Sequence, residues 1–159
     1  MSVAFTKESD AEAVAADLPD RPVPAHVNLV TEAGLAQIDA EVAAARGAWD
    51  AARSGDAISA DRSAMARATR DLRYWSARRA SAQLVSPRPD DGSVRFGTRV
   101  TFERADGRRQ TYAIVGDDEA DPATGSVSHV SPLAVAMTGK LIGDVVQLAG
   151  HDVEIIATA

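Results

Sequence analysis

The chain of 159 residues has no cysteine and few aromatic residues. The lack of cysteine excludes disulfide bonds, thiolate metal sites and cysteine nucleophiles, and it suits a reducing compartment. Aromatic residues make up 4% of the chain and apolar residues 45%, so alanine, valine, leucine and isoleucine must form most of the core. No apolar run approaches the roughly 18 residues of a membrane span, and residues 1–20 lack the apolar stretch of a signal peptide. We therefore expect a cytoplasmic protein that does not contact a membrane.

Charge is distributed unevenly along the chain. Residues 1–50 carry a net charge of −6, residues 51–95 carry +4, and residues 96–159 carry −4. Such a pattern concerns surfaces and partners rather than the fold. The overall charge of −6 argues against non-specific binding to nucleic acid by the chain alone.

Residues 1–27 are rich in alanine and acids, and they end in three closely spaced prolines that exclude a continuous helix. We expect a disordered, solvated tail, which is typical of this composition. The alternative is that the tail folds back on the basic second helix described below and hides its arginines.

Residues 28–86 contain two heptad seams joined at a short turn, Ser54–Asp56, and this pattern predicts an antiparallel helical hairpin. Thr31 is the predicted N-cap of the first helix. The first seam consists of Leu35, Ile38, Val42, Ala45, Trp49 and Ala52, and the second of Ile58, Met65, Ala68, Leu72, Trp75 and Ala82. Residues 87–94 form the predicted linker.

From residue 95 to residue 159 the pattern changes to short alternating segments. An Asp-Gly turn at Asp106 joins two predicted strands, Pro132 begins a short predicted helix, and two more strands meet at Gly150. The order of strands, one helix and further strands predicts a small α+β domain with an antiparallel sheet. The fold class is therefore α+β, with a helical hairpin followed by this domain.

The sequence contains no recognisable catalytic arrangement. The three histidines, His26, His129 and His151, lack the spacing of metal ligands, and no glycine-rich phosphate loop is present. We expect a binding or regulatory module that is not an enzyme and that has no cofactor or stably bound metal of its own.

The second helix carries an unusual number of arginines. A surface facing RNA is one interpretation, because the guanidinium group suits phosphate. The alternative is a solvated face that pairs with the acids of the first helix, Asp39, Glu41 and Asp50. The candidate RNA-facing residues are Arg62, Arg67, Arg70 and Arg73.

Two acids, Asp56 and Asp61, lie at the predicted tip of the hairpin. Two carboxylates at the end of a projecting rod can share a divalent ion such as Mg²⁺. Acids are also common in turns and at helix N-termini for reasons of capping and dipole alone.

The C-terminal motifs resemble those of the Gre transcript-cleavage factors. They appear in the family's order and cover most of residues 96–148, and the hairpin resembles the family's coiled coil more loosely. The matching segments are Phe96–Thr101, Gln110–Pro122, Ser131–Ala134, Gly139–Lys140 and Gly143–Val146.

The resemblance implies a mechanism. In this family an FKBP-like domain docks on bacterial RNA polymerase near the secondary channel, through the region that is here Ser131, Pro132 and Leu133. The coiled coil enters the channel, where tip acids help to hold a Mg²⁺ ion of the polymerase and backtracked RNA is cut. The polymerase is the enzyme. We expect a monomer whose partners are bacterial RNA polymerase and nascent RNA.

The tip departs from the family pattern of Gly-Asp-Leu-x-Glu-Asn. Asp56 matches the aspartate, but Ser59 stands where the glutamate belongs, and Asp61 is the only nearby substitute. The hairpin is also about two heptads shorter than expected, which removes about 10 Å of reach. A metal–ligand bond tolerates only tenths of an ångström.

Three hypotheses follow. The first is a polymerase-binding elongation regulator at the secondary channel with weak or no stimulation of transcript cleavage. The second is an active cleavage-stimulating factor that uses Asp56 and Asp61. The third is a non-catalytic protein-binding module on an FKBP-like fold.

Overall fold

The computed structural model describes residues 18–54 and 58–159, except for the side chains of residues 58–61. The chain divides into two compact units. The first comprises the residues up to His26 together with Ile38–Ser81, and the second comprises Val27–Gln37 and Ala82–Ala159.

Two long helices dominate the first part of the chain, α1 at Glu32–Arg53 and α2 at Ile58–Ser81. Ile38, Ala45 and Ala68 from the predicted seams are buried. Trp49 and Trp75 are half-buried. These observations confirm the two predicted helices and the buried centre of each seam.

Thr31 caps α1 as predicted. Its Oγ1 accepts a hydrogen bond from the Gly34 N–H at 3.0 Å, and its carbonyl accepts one from the Leu35 N–H at 2.9 Å. A cap of this kind satisfies N–H groups that the first helical turn leaves without partners.

A five-stranded sheet organises the second unit. The strands are β3 (Arg99–Arg104), β4 (Arg109–Val115), β5 (Ser126–Ser128), β6 (Val145–Leu148) and β7 (His151–Thr158), in the order β5-β4-β3-β7-β6. Two short strands, β1 (Leu29–Val30) and β2 (Gln83–Leu84), form a separate parallel pair.

The predicted α+β class is confirmed, but the sheet is mixed rather than antiparallel throughout. Three pairings in the large sheet are antiparallel, whereas β4 and β5 are parallel, with Ala113 opposite Ser126. A long connection between these strands, instead of a tight hairpin turn, carries the chain back so that β5 begins beside the middle of β4.

One short helix, α3 at Pro132–Met137, packs with β5 and β6. Its Ala134 and Met137 join the core of the sheet, in which Phe102, Ile114 and Ile155 are fully buried. Burial of these aliphatic and aromatic side chains is the main stabilising term of the domain. Among residues 18–54 and 58–159, no helix has the length and apolar character to cross a membrane.

Candidate functional site

The structure places the described site residues on two elements, α2 and the start of α3. Asp56 lies outside the described residues. Asp61 belongs to the first turn of α2, but its side chain also lies outside the described part. The role predicted for these two acids therefore stays a prediction.

The four candidate RNA-facing arginines lie along one broad side of α2. At about 100° per residue, positions 62, 67, 70 and 73 fall within an arc of about 140°. Arg62, Arg67 and Arg73 are exposed and Arg70 is half-exposed. This side of the helix is therefore basic, and most of its arginines are exposed to solvent.

The alternative interpretation was that the arginines of α2 pair with the acids of α1. The observed ion pairs match it only in part. Arg79 pairs with Asp39 of α1. Arg70 instead contacts its neighbour Asp71 at 3.2 Å, and Arg73 contacts Asp20 of the N-terminal segment at 3.3 Å.

The Ser131 side chain acts as the cap of α3. Its Oγ accepts a hydrogen bond from the Ala134 N–H at 3.2 Å, and Pro132 occupies the first helical turn, where its missing N–H costs nothing. Leu133 is half-buried against the core, whereas Pro132 is exposed. Of the three predicted docking residues, Pro132 offers the most surface to a partner.

Exposed apolar side chains surround this element. Val135 of α3 is 65% exposed, and Leu141, Ile142 and Val145 are 53%, 50% and 61% exposed. Val145 begins β6, and its side chain faces away from α3, because the next residue, Val146, is the one that joins the core with Ala134 and Met137. We call the exposed apolar residues on α3 and in the segments next to it in sequence the α3 surface: Val130, Pro132, Val135, Leu141 and Ile142. Exposed apolar groups gathered around one element are typical of a protein-binding site.

Sequence reasoning missed Val135, Leu141, Ile142 and Val145 as surface residues. Valine, leucine and isoleucine also fill cores, so residue type alone does not distinguish the two locations. The sequence signal that could have indicated an exposed turn is the pattern of Gly139, Lys140, Gly143 and Asp144 around Leu141 and Ile142.

Hydrogen bonds define the conformation of the turn between α3 and β6. The Asp144 carboxylate accepts a hydrogen bond from the Leu141 N–H at 2.8 Å, and the Gly143 N–H donates to the Ile155 carbonyl at 2.7 Å. Gly143 has a φ of 92°, a conformation that favours glycine. These motif residues hold the apolar groups in place rather than contacting a ligand themselves.

The acidic motif around residues 117–121 also has an architectural role. Asp121 caps a 3₁₀ turn at Pro122–Thr124 through the Ala123 N–H at 3.0 Å. The Asp117 carboxylate accepts a hydrogen bond from the Ser128 hydroxyl. Glu119 accepts hydrogen bonds from Thr31 and Gly116. These three carboxylates are thus occupied by bonds within the chain.

The described elements define a chain in which a helical hairpin precedes a small α+β domain with an apolar α3 surface. Residues 89–157 match the family model described as "Transcription elongation factor, GreA/GreB, C-term". Residues 89–157 therefore form a GreA/GreB C-terminal domain, and through this domain the chain is similar to the Gre family.

Several curated relatives share the match. Transcription elongation factor GreA of Ralstonia nicotianae is 46% identical over 69 residues, which are 42% of this chain and 44% of the relative. Transcription elongation factor GreA of Desulfovibrio desulfuricans is 38% identical over 102 residues, which are 63% of this chain and 57% of the relative. The chain spans about half the length of the curated relatives it matches.

A solved structure is also similar to this chain. The crystal structure of GreA factor homolog 1 (Gfh1) of Thermus thermophilus is 20% identical, with 84% of this chain and 99% of that chain covered and a TM-score of 0.40.

Proposed function

We propose that this chain is a transcription elongation regulator that binds bacterial RNA polymerase through the α3 surface and acts at the secondary channel with weak or no stimulation of transcript cleavage. The family match of residues 89–157 supports the polymerase as partner. The relatives that share this match are named transcription elongation factors.

The single observation that carries the proposal is the contrast between two parts of the sequence, the C-terminal domain and the predicted tip of the hairpin. The docking domain keeps the family motifs in order, and its α3 surface presents Val135 to solvent. The tip keeps Asp56 but has Ser59 at the glutamate position. A serine hydroxyl is a neutral ligand and cannot replace a carboxylate in charge at a Mg²⁺ ion.

The reach of the hairpin supports weak cleavage stimulation. With 22 and 24 residues, its helices are about 33 and 36 Å long at about 1.5 Å per residue. This is shorter than we expect for a cleavage factor. A tip that falls short of the polymerase's Mg²⁺ can occupy the channel but cannot coordinate the ion.

The four arginines of α2 fit a further part of this proposal. We assign Arg62, Arg67, Arg70 and Arg73 to contacts with nascent RNA, because they form the basic side of α2 and arginine pairs with phosphate through two parallel hydrogen bonds. The chain contributes no cofactor of its own in this account.

Active cleavage stimulation remains the second candidate, because Asp56 matches the family aspartate and Asp61 lies within the next helical turn. A protein-binding module that does not act on polymerase is the third.

A binding titration with purified bacterial RNA polymerase tests the docking assignment. We expect Val135→Asp to weaken binding at least about tenfold, because a charge placed in the centre of an apolar interface loses its hydration without a partner. Val27→Asp is the matched control, since Val27 is 54% exposed and lies outside the α3 surface. Equal affinity of both variants and the intact chain would contradict the assignment, and no binding by the intact chain would contradict the function.

A further inference from the structure

Residues 18–24, which we call the strap, contact α2 through Asp20 and Arg21 within the first unit. The Arg21 guanidinium carbon lies 3.8 Å from the centre of the Tyr74 ring and 5.2 Å from that of Trp75. Its NH1 lies 3.6 Å from an Asp71 carboxylate oxygen. Asp20, the preceding residue, accepts a hydrogen bond from Arg73 at 3.3 Å. The strap therefore contacts the basic side of α2 and the aromatic residues next to it.

The surface beneath the strap has the chemistry of a nucleotide site. Tyr74 offers an aromatic face adjacent to Arg73, and its ring meets Trp75 edge to face at 5.0 Å. Single-stranded nucleic acid is bound by this combination, in which bases stack on aromatic rings and arginines hold the phosphates.

The strap fills both halves of such a site. The planar Arg21 guanidinium stacks on Tyr74, where a base would lie, and the Asp20 carboxylate bonds Arg73, where a phosphate would lie. A planar group and an anion on adjacent residues thus take the places of the two parts of one nucleotide.

We propose that the strap is an intramolecular competitor of single-stranded RNA for the Arg73–Tyr74 surface of α2, with Asp20 and Arg21 as the competing groups. The inference rests on the RNA-facing role proposed above for α2 and adds its regulation. RNA binds after the strap leaves the surface, so the intact chain has a lower affinity for RNA than a chain whose strap is released.

The competition is moderate in strength. The Arg73 and Asp20 side chains are 68% and 64% exposed, so solvent weakens their ion pair, and the Arg21–Tyr74 contact is a single cation–π interaction. Together these contacts favour the bound strap by about tenfold. The apparent affinity for RNA equals the intrinsic affinity multiplied by the fraction of molecules in which the strap is released. A strap of this strength adjusts RNA binding without abolishing it.

The net negative charge of residues 1–17, which precede the strap, disfavours the binding of RNA in competition with the strap. Residues 1–17 carry Lys7 against Glu8, Asp10, Glu12 and Asp17. This negative charge is covalently attached to the strap, and negative charge repels a polyanion.

Fluorescence anisotropy with a short, labelled single-stranded RNA tests the competition on the full chain. The release variant is Asp20→Asn with Arg21→Gln, which removes one charge of each sign and leaves the net charge unchanged. We expect it to bind the RNA about tenfold more tightly than the intact chain. Adding Tyr74→Leu to the release variant is expected to remove this gain, because the stacking face is lost.

The matched control removes another exposed acid–arginine pair. Asp106 and Arg108 are 2.7 Å apart in the second unit, and Asp106→Asn with Arg108→Gln is expected to leave RNA affinity unchanged. Duplex RNA is the second control, since its stacked bases cannot reach Tyr74. An equal gain with duplex RNA or in the control variant would overturn the proposal.

The outcomes separate the strap from the function on which it depends. Equal RNA affinity of the intact chain and the release variant overturns the strap, even where Arg73→Gln weakens both and so supports the RNA-facing surface. If neither protein binds RNA, both the strap and the RNA-facing role fail, while the polymerase titration decides the docking assignment independently. A strap that only stabilises the hairpin predicts a lower midpoint of thermal unfolding in the release variant without any gain in RNA affinity, and that result also overturns the proposal.

Discussion

Thr31 and Glu119 are 88 positions apart in the sequence, yet the Thr31 hydroxyl donates a hydrogen bond of 2.6 Å to Glu119 Oε2. The Thr31 N–H donates to Oε1 at 3.2 Å, and the Gly116 N–H donates to the same oxygen at 2.9 Å. One carboxylate therefore joins the cap of α1 to the loop that follows β4, within the second unit. Glu119 belongs to a family motif, and its contacts give it a structural role.

Removal of this carboxylate is expected to destabilise the second unit. Glu119→Ala leaves the N–H groups of Thr31 and Gly116 without their acceptor, and we predict a loss of about 1–3 kcal/mol in the free energy of unfolding. Urea unfolding of the full chain measures it. Glu154→Ala, at an exposed acid of β7, is the control, and an equally small effect of both substitutions would contradict the account.

Gly34 and Gly47 both lie in α1 and make a matched pair. A Cβ at Gly34 would lie 2.6 Å from the Glu119 carboxyl carbon, whereas a Cβ at Gly47 meets nothing within 4 Å. Glu119 can move away only by giving up its hydrogen bonds. We predict that Gly34→Ala destabilises by about 1–3 kcal/mol and that Gly47→Ala stabilises by up to about 1 kcal/mol. Urea unfolding measures the change in the free energy of unfolding for both variants. Changes of the same sign would contradict the prediction.

Ser131→Ala separates helix capping from docking. The substitution removes the oxygen that accepts the Ala134 N–H, and we predict a loss of about 1 kcal/mol in unfolding free energy. Ser131→Asp keeps a capping oxygen, so we expect it to retain most of the unfolding free energy that Ser131→Ala loses. Affinity for polymerase is expected to change less for Ser131→Ala than for Val135→Asp. A larger loss of affinity for Ser131→Ala would show that the hydroxyl itself contacts the partner.

The segment that precedes β3 in the second unit contains a carboxyl group, that of Asp91, with an unusual titration. Hydrogen bonds from the Ser93 hydroxyl and N–H, and then from Arg95, lower the pKa of Asp91 from 3.8 to about 2. Because the pKa is lower in the folded chain, the stabilisation is present above pH 3.8 and is lost as the pH falls to about 2.

Carbon-13 NMR of the Asp91 carboxyl measures this titration. We predict a midpoint near pH 2 in the intact chain and a higher midpoint in Ser93→Ala, where the hydroxyl donor is missing. A midpoint of 3.8 in the intact chain would mean that these hydrogen bonds do not persist in solution.

Local patterns in the sequence predicted the helices, the cap at Thr31, the start of α3 at Pro132 and the hairpin at Gly150. Each depends on residues close together in the chain, such as a seven-residue repeat or a turn dipeptide. The parallel β4–β5 pairing and the β1–β2 pair were not predicted, because short strands carry no local signal of direction or partner.

The candidate site was predictable only in part. The arginines of α2 were identified from sequence because helical spacing places them on one side. The bond of Asp20 to Arg73 and the stacking of Arg21 on Tyr74 depend on the path of the chain after the prolines, which no periodicity specifies. The alternative that the tail folds back on α2 nevertheless followed from charge, and the contacts of residues 20 and 21 agree with it.

The most direct test of the central claim uses a stalled, backtracked polymerase complex with Mg²⁺, to which the purified chain is added while the RNA 3′ end is followed. The account predicts that the chain binds the complex, leaves the RNA length unchanged and inhibits an added cleavage factor by competition. Shortened RNA with the intact chain, lost in the Asp56→Ala, Asp61→Ala variant, would contradict it.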